Sequence, residues 1–422
     1  MRGEMATYGR ILMYVIPVFF TLVVAEKWYG WYWKKKSFRL LDTISSLSSG
    51  FTNTIKDALG LTVVILSYKY MVSHWALFQL ESSVAMYIIT FIVIDFYGYF
   101  SHRWAHSINF LWNKHAIHHS SEEFDLACAL RQSISVFINL FTFLLLPAAL
   151  LGVPAKVVAL VTPIQLFMQF WYHTTYIGKM GFLEKILVTP SHHRVHHAIN
   201  PEYVDKNHGQ IFIIWDKLFG TFQEELPNVP PVYGSTRPVK TWNPVKINFL
   251  HLRLLILDAY RTNNWADKFA IWFKPTGWRP ADVVEKYPVE KIEDPYHFQK
   301  YDTRASNVLK VWIGIQFFVT LAFMYYLFGN LATIPKPQIF FYGGFILLAV
   351  YAYTELMDRN PNAIWWELLK TVCALSLIYI NGDWFGMGEQ FTKVLLVYLV
   401  VANVVTYYFS RLEEDSSPVL AS

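Results

Sequence analysis

The chain has 422 residues, 54% of them hydrophobic and 18% aromatic, and only 16% charged. By length it could hold two or three soluble domains, but that balance belongs to a membrane protein. The formal charge of +5 is mixed with many acids on a multispanning scaffold, which argues against nucleic acid as a partner. The two cysteines, Cys128 and Cys373, are too few for a disulfide framework, and neither has a partner at metal-ligand spacing.

Nine apolar stretches of about 20 residues, enough to cross a bilayer core of about 30 Å, start near Ile11, Ile55, Val84, Ile134, Val157, Val308, Ile339, Ile364 and Thr392. Those at Ile55 and Ile364 are the weakest. The first, MYVIPVFFTLVV, follows Arg2 and Arg10, lacks a small-residue cleavage site and runs into WYGWYWKKK. It reads as an uncleaved span ending in an interfacial aromatic belt. The Val84 span leads into HRWAH, with His102 and His106, and then HAIHH, with His115, His118 and His119. Next come the acids Glu122, Glu123 and Asp125. A solvated or helix N-terminal role is the default for such a group, and orienting ligands or a cosubstrate is the sharper one, so they are the candidate cofactor-binding residues. Arg131 reads equally as a buried-edge anchor or a substrate contact.

The chain is then expected to cross out and back through INLFTFLLLPAALLG and KVVALVTPIQLFMQF, broken at Pro147 and at Gly152 to Pro154, before His173 and the third run, HRVHH, with His193, His196 and His197. Two crossings would return the third run to the side of the first two. A short helix with Thr189 as N-cap and Pro190 at its first position suits the third run, and Asn200 and Pro201 end it. IFIIWDKLFGTF is too short to span and ambiguous in type, with Trp215 and Asp216 reading at least as easily as packing residues as catalytic ones. The five prolines from Leu226 to Pro244 mark an irregular connection. Half of the thirty-six Lys and Arg residues lie between Lys179 and Lys310, and they place that segment in the cytosol, as do Lys34, Lys35, Lys36 and Arg39. Four histidine-free spans follow. The expected fold is all-α: a polytopic helical membrane protein with a cytosol-facing, histidine-rich di-metal site, divided into N-terminal helices (1–83), a catalytic region (84–306) and a C-terminal bundle (307–422).

Eight of the fourteen histidines thus fall in three clusters. A lone histidine is usually a surface or satisfied buried side chain. Three clusters on one side of a membrane, where uncompensated polar groups are costly, read instead as ligands to two metal ions. On a helix, residues three or four apart share a face, so each run should aim its rings one way. Asp95, Tyr99, His102 and His106 also share a face, making Asp95 a candidate to accept a proton from a ligand imidazole. His173 is the natural ninth ligand. His192 reads as hydrogen-bonding, His208 lies near the pattern, and His74, His251 and His297 fall outside it. Imidazole suits iron, copper, nickel and zinc. A thiolate-free set this large fits an oxygen-activating di-iron centre better than a hydrolytic zinc site, which uses about three protein ligands, or a transporter site near the midplane.

HX3H, HX2HH and HX2HH in this order between hydrophobic hairpins resemble the fatty acid hydroxylase and sterol desaturase superfamily of membrane di-iron oxygenases, over roughly Phe91 to Phe222. Within that region HHSSEEFDLACALRQS, QFWYHT, TPSHHRVHH and IIWDKLFGTF are similar to the alkylglycerol monooxygenases. The resemblance implies that His102, His106, His115, His118, His119, His173, His193, His196 and His197 hold two iron ions. It also implies oxygen-dependent cleavage of a glyceryl ether lipid, with tetrahydrobiopterin or another external donor as reductant. Two positions depart from that pattern. Ser107 stands where the branch carries an acidic residue, and His208 where it carries an aromatic one. Neither a haem-binding segment nor a nucleotide-binding glycine loop is evident. A sterol, fatty acyl or carotenoid hydroxylase or desaturase is the competing enzyme reading, and a non-enzymatic metal-binding or transport protein the remote one. A bacterial cytoplasmic membrane and the endoplasmic reticulum both suit a cytosol-facing site.

Overall fold

The structure, a computed structural model, describes residues 2–412 apart from 65, 82, 136, 137 and 140. Its helices, in order, are α1 (Arg2–Tyr32), α2 (Leu40–Ala58), α3 (Tyr68–Trp75), α4 (Val84–Ser107), α5 (Asn109–Trp112), α6 (Leu146–Leu150), α7 (Ala155–Met168) and α8 (Pro190–His196). Then come α9 (Ile214–Phe219), α10 (Pro244–Arg261), α11 (Trp265–Ala270), α12 (Ala281–Lys286), α13 (Asn307–Gly329), α14 (Lys336–Met357), α15 (Ala363–Asn381) and α16 (Gly388–Leu412). The sheet is minimal: β1 (Val63–Val64) pairs in parallel with β2 (Ile138–Asn139). Among the described residues six helices are long and apolar enough to cross a membrane: Thr7–Tyr32 of α1, α4, α13, α14, α15 and Gly388–Arg411 of α16.

Six spans replace the expected nine, and each of the three differences has a local cause. The Ile55 stretch is no helix of its own: it straddles the end of α2 at Ala58 and runs into β1. The Ile134 stretch, part of which lies outside the described residues, contributes β2, a 3-10 turn (Thr142–Leu145) and the five residues of α6. α7 has 14 residues, about 21 Å at 1.5 Å per residue, short of a bilayer core. So the expected out-and-back pair of full crossings is a short hairpin, with prolines at Pro147, Pro154 and Pro163 interrupting helix propagation. Its turn requires glycine. Gly152 has φ +74°, and a Cβ there would meet the Phe78 carbonyl.

The chain forms two compact units: 1–61 with 240–247 and 300–422, and 62–239 with 248–299. In the first, α1 packs on α13, and α2 packs on α13 and α14. The Ser- and Thr-rich sequence of α2, which hydropathy alone rejects as a span, is nonetheless buried from Leu41 to Ser49. Its hydroxyls are satisfied locally, Ser48 Oγ donating to the Ile44 carbonyl at 2.6 Å and Thr52 Oγ1 to the Ser49 carbonyl at 2.9 Å, so the polar face costs little inside the bundle. In the second unit α4 is the long element. The α6–α7 hairpin packs against α4 and α3 through a core that includes Met71, Met86, Ile94, Ala148, Val153 and Val157. Gln165 Nε2 donates to the Phe91 carbonyl at 2.6 Å and Tyr68 Oη to that of Val153 at 2.8 Å. Those contacts hold the far half of α4, leaving its C-terminal half to carry histidines.

Candidate metal centre

His102 and His106 lie on the last two turns of α4, which are helical as expected. The HAIHH run is not a regular helix: it folds through turns into a 3-10 segment at His118–Ser120. The third run occupies α8, capped as its sequence suggests. Thr189 is the N-cap, Pro190 opens the helix, and Thr189 and His192 form a reciprocal capping box. His192 is thereby spent on the cap and turned away from its neighbours.

The rings gather into two groups. His102, His106, His115, His119 and His196 form one, and His118, His173, His193 and His197 the other, each with its donor atoms within 4.8 Å of one another. The runs therefore do not each make up one group. His118 parts from His115 and His119, and His196 from His193 and His197, so both the 3-10 turn and α8 lie between the groups. The groups adjoin, with the His119 and His197 rings stacked at 4.4 Å.

Hydrogen bonding fixes which nitrogens face inward. The Nδ1–H groups of His102, His118, His173 and His196 donate to the carbonyls of His208 (2.8 Å), Arg131 (3.2 Å), Gln169 (3.0 Å) and Lys206 (2.9 Å). In a neutral imidazole the other nitrogen, Nε2, then carries a bare lone pair. Burial favours the neutral form of seven of these rings: it draws His118 down to about 4 and His115, His119, His173, His193, His196 and His197 well below their ordinary value. Yet Nε2 of His118 and Nε2 of His173 stand 3.3 Å apart, and His173 Nε2 is 2.9 Å from that of His193. His193 and His197 follow at 3.0 Å, and in the other group His102 and His115 approach to 2.8 Å and His119 and His196 to 3.1 Å. Two nitrogens each about 2.1 Å from one ion stand about 3.0 Å apart across an octahedral edge and about 3.4 Å apart across a tetrahedral one. Where both rings have Nδ1–H anchored to a carbonyl, as in His118 and His173, the facing Nε2 lone pairs repel unless a cation lies between them. His106 Nε2 is likewise buried without a partner. The nine side chains fit two metal ions by donor type and spacing.

Asp95 does not do what its place on α4 suggests. Its carboxylate accepts from the backbone N–H groups of Ile211 (2.8 Å) and Phe212 (3.2 Å) and from Trp215 Nε1 (2.8 Å), so it binds a loop and no imidazole. The reason lies in distance along α4: Asp95 is two turns before His102, level with that loop. The carboxylate beside a site histidine is Asp205, whose Oδ1 is 3.1 Å from His106 Nδ1. Asp205 sits at φ +58° in a turn with Asn207 at φ +55°, a conformation Asp and Asn tolerate better than most residues. Asp216 closes that turn, accepting from His208 N–H and Gly209 N–H, both at 2.7 Å, and from Thr221 Oγ1 at 2.6 Å. A Cβ on Gly209 would meet Asp216 Oδ2 at 2.8 Å. The turn supplies the Lys206 and His208 carbonyls that orient His196 and His102. His208 itself stays outside both groups, its Nε2–H donating to the Asp205 carbonyl at 3.1 Å.

Of the acids after the second run, Asp125 accepts from the N–H groups of Ala127 (2.9 Å) and Cys128 (3.2 Å), capping a short 3-10 turn. Glu122 is buried and Glu123 half-buried, and neither belongs to a metal-binding group. Arg131 is buried and donates to Ser120 Oγ at 2.8 Å. Sequence reasoning missed the aromatic walls. Phe124 lies 5.7 Å from His173 and 5.2 Å from His197, Tyr172 4.3 Å from His193, and Trp112 5.0 Å from His106, as ring centroids. It also missed Arg194, inside the third run, which clasps Glu225 with both ends of its fork, Nε–Oε1 at 2.9 Å and Nη2–Oε2 at 2.6 Å. The same guanidinium donates to the Thr174 and Ile177 carbonyls at 3.1 and 2.8 Å. Ser107 faces away, its Oγ donating to the Arg103 carbonyl at 2.7 Å.

A family model described as fatty acid hydroxylase matches residues 87–221, which include all nine histidines. The chain is 35% identical over 363 residues to the alkylglycerol monooxygenase of Homo sapiens, covering 86% of this chain and 81% of that one. The same-named protein of Xenopus tropicalis is 32% identical over 380 residues, 89% and 83% of the two chains. That of Danio rerio is 32% identical over 385 residues, 89% and 84%. No solved structure matches the chain significantly. With identity above three residues in ten across more than four-fifths of these relatives, the chain belongs to the alkylglycerol monooxygenase family.

Proposed function

We propose that the protein is a membrane monooxygenase that cleaves alkylglycerol ether lipids, with two iron ions held by the five- and four-histidine groups. The observation that carries this reading is the convergence of nine imidazoles into two adjoining groups, each with its donor atoms within 4.8 Å of one another, in a chain whose relatives are named alkylglycerol monooxygenases. Bound iron supplies the activation of molecular oxygen, chemistry that side chains alone do not provide. One oxygen atom enters the C–H bond next to the ether oxygen. The other leaves as water, taking two electrons and two protons from a reductant, for which tetrahydrobiopterin is the proposed source. The resulting hemiacetal breaks its C–O bond to the glycerol side, giving a fatty aldehyde and a free glycerol hydroxyl. The chain's own residues set the conditions. Carbonyl-anchored Nδ1–H groups hold the rings in one orientation, and Phe124, Tyr172 and Trp112 keep water from the groups they wall. We place the site on the cytosolic side of a bacterial cytoplasmic membrane or the endoplasmic reticulum, on the basic composition of residues 179–310.

The test is metal analysis of protein purified without oxygen, followed by assay for aldehyde from an alkylglycerol, with and without tetrahydrobiopterin. Two irons per chain and pterin-dependent aldehyde are expected, and His118→Ala or His193→Ala should abolish turnover in folded protein. Retained turnover in both variants overturns the metal assignment. A hydroxylated lipid with its C–O bond intact overturns ether cleavage in favour of an acyl or sterol hydroxylase.

A further inference from the structure

α4 has 24 residues, about 36 Å of helix, enough to cross a hydrocarbon core of about 30 Å, and it ends at Ser107, just past its two histidines. The chain locks a distant segment onto that point. Asn109 N–H donates to the Lys274 carbonyl at 2.9 Å and Phe110 N–H to that of Trp272 at 3.0 Å. The Asn109 side chain donates to the carbonyls of Ile271 (3.0 Å) and Trp278 (2.9 Å) and accepts from Gly277 N–H (2.9 Å). Asn109 is wholly buried, so these bonds fix residues 271–278 against the C-terminal end of α4. α11 is joined to the end of α10 by Lys268, whose Nζ donates to the carbonyls of Ala259 and Tyr260 at 2.9 and 3.0 Å.

This anchored segment exposes large aromatic side chains. Trp265 is 72% exposed, Phe269 67% and Phe273 79%. They are spaced four residues apart, and Tyr260 precedes them at 82%. Ile271 between them is fully buried, so the aromatic residues are turned outward by the packing of the segment. From Arg253 to Arg279 there are five basic residues and two acidic ones. Trp, Tyr and Phe among cations, at the depth where a span exits, are the composition of a surface lying in the headgroup layer.

We infer that Tyr260–Phe273 is a membrane-docking surface that seats in the headgroup layer next to α4, with anionic lipid as the favoured partner. Charge complementarity and the continuity with α4 favour lipid over a second copy of the chain or another protein. The inference does not depend on the reaction catalysed. Through Asn109, three residues after His106, it ties the histidine groups to the surface of the leaflet.

The experiment labels Phe269→Cys with an environment-sensitive fluorophore in a Cys373→Ser background, Cys128 being buried, with full-length protein in lipid nanodiscs. A shallow spin-labelled phosphatidylcholine should quench the label and aqueous iodide should not, while a control label at the exposed Glu285 should show the reverse. Adding phosphatidylserine should increase the lipid quenching. Quenching by iodide in place of lipid overturns the inference, and so does shielding from both, which would mean that a protein covers the surface. Lipid quenching indifferent to phosphatidylserine overturns the anionic preference. A Lys274→Gln variant, which keeps the backbone bonds to Asn109, should weaken the response to phosphatidylserine and keep the rest.

Discussion

Arg194 shows how much a single side chain between two clustered histidines can hold. Its fork ties α8 to Glu225 and to the carbonyls that follow His173, so it sets His173 against His193 and His197 within the four-histidine group. The pair is mostly buried, with side-chain exposures of 9% and 18%, and breaking a buried pair costs about 3–5 kcal/mol. Arg194→Ala or Glu225→Gln should lower metal content toward one ion per chain, the five-histidine group retaining its own, as read by elemental analysis of folded protein. Lys at position 194 should not restore it, since an ammonium lacks the fork. Protonation offers a second test. Burial brings His118 from its ordinary 6.5 to about 4 and lowers His119, His173, His193 and His197. Between those pH values the unfolded chain binds protons that the folded, metal-free chain refuses, so stability rises with pH across the window and is lost on acidification. Thermal unfolding of metal-free protein from pH 6.5 down to 4 should show a falling midpoint; a flat profile contradicts the neutral-imidazole cluster.

Among the elements, α15 carries the most consequential buried charges of the C-terminal bundle. Lys370 Nζ and Glu367 Oε1 pair at 2.6 Å across one turn with both side chains 1% exposed, and the ammonium also reaches Gln316 of α13 and Tyr398 of α16. The pair thereby joins three spans. Glu367→Gln or Lys370→Met alone should destabilise the bundle by about 3–5 kcal/mol, by leaving one buried charge unmatched, whereas the apolar double replacement should be close to neutral. Unfolding in detergent, compared across the two single variants and the double, reads this directly. At this level sequence and structure part most often. The spans α4, α13, α14 and α16 follow from unbroken apolar runs. α2 does not, because its Ser and Thr side chains bond their own helix and are covered by α13 and α14, which no hydropathy sum registers. The α6–α7 hairpin misleads in the other direction, since its composition is that of two spans while its prolines cut it into short pieces.

Over the whole molecule, the reading of a cytosol-facing site rests on charge. Half of the Lys and Arg residues lie in residues 179–310, a bias that favours the cytosol but acts more weakly on long loops than on short ones such as that of Lys34 to Arg39. Glu285→Cys, exposed in that segment, should react with a membrane-impermeant maleimide only from the cytosolic side of sealed vesicles; reaction from the opposite side refutes the orientation.

The clustering of the nine histidines, the cap at Thr189 and the family were legible in the chain, because spacing, capping and apolar run length are local properties that a linear string records. The division of those histidines into two groups was not, because it depends on a 3-10 turn at His118 and on the carbonyls that orient individual rings. Nor were the duties of Asp95, Asp205, Asp216 and Arg194. Each acts on a partner tens to more than a hundred residues away or across a tight turn, and folding alone brings such groups within hydrogen-bond reach.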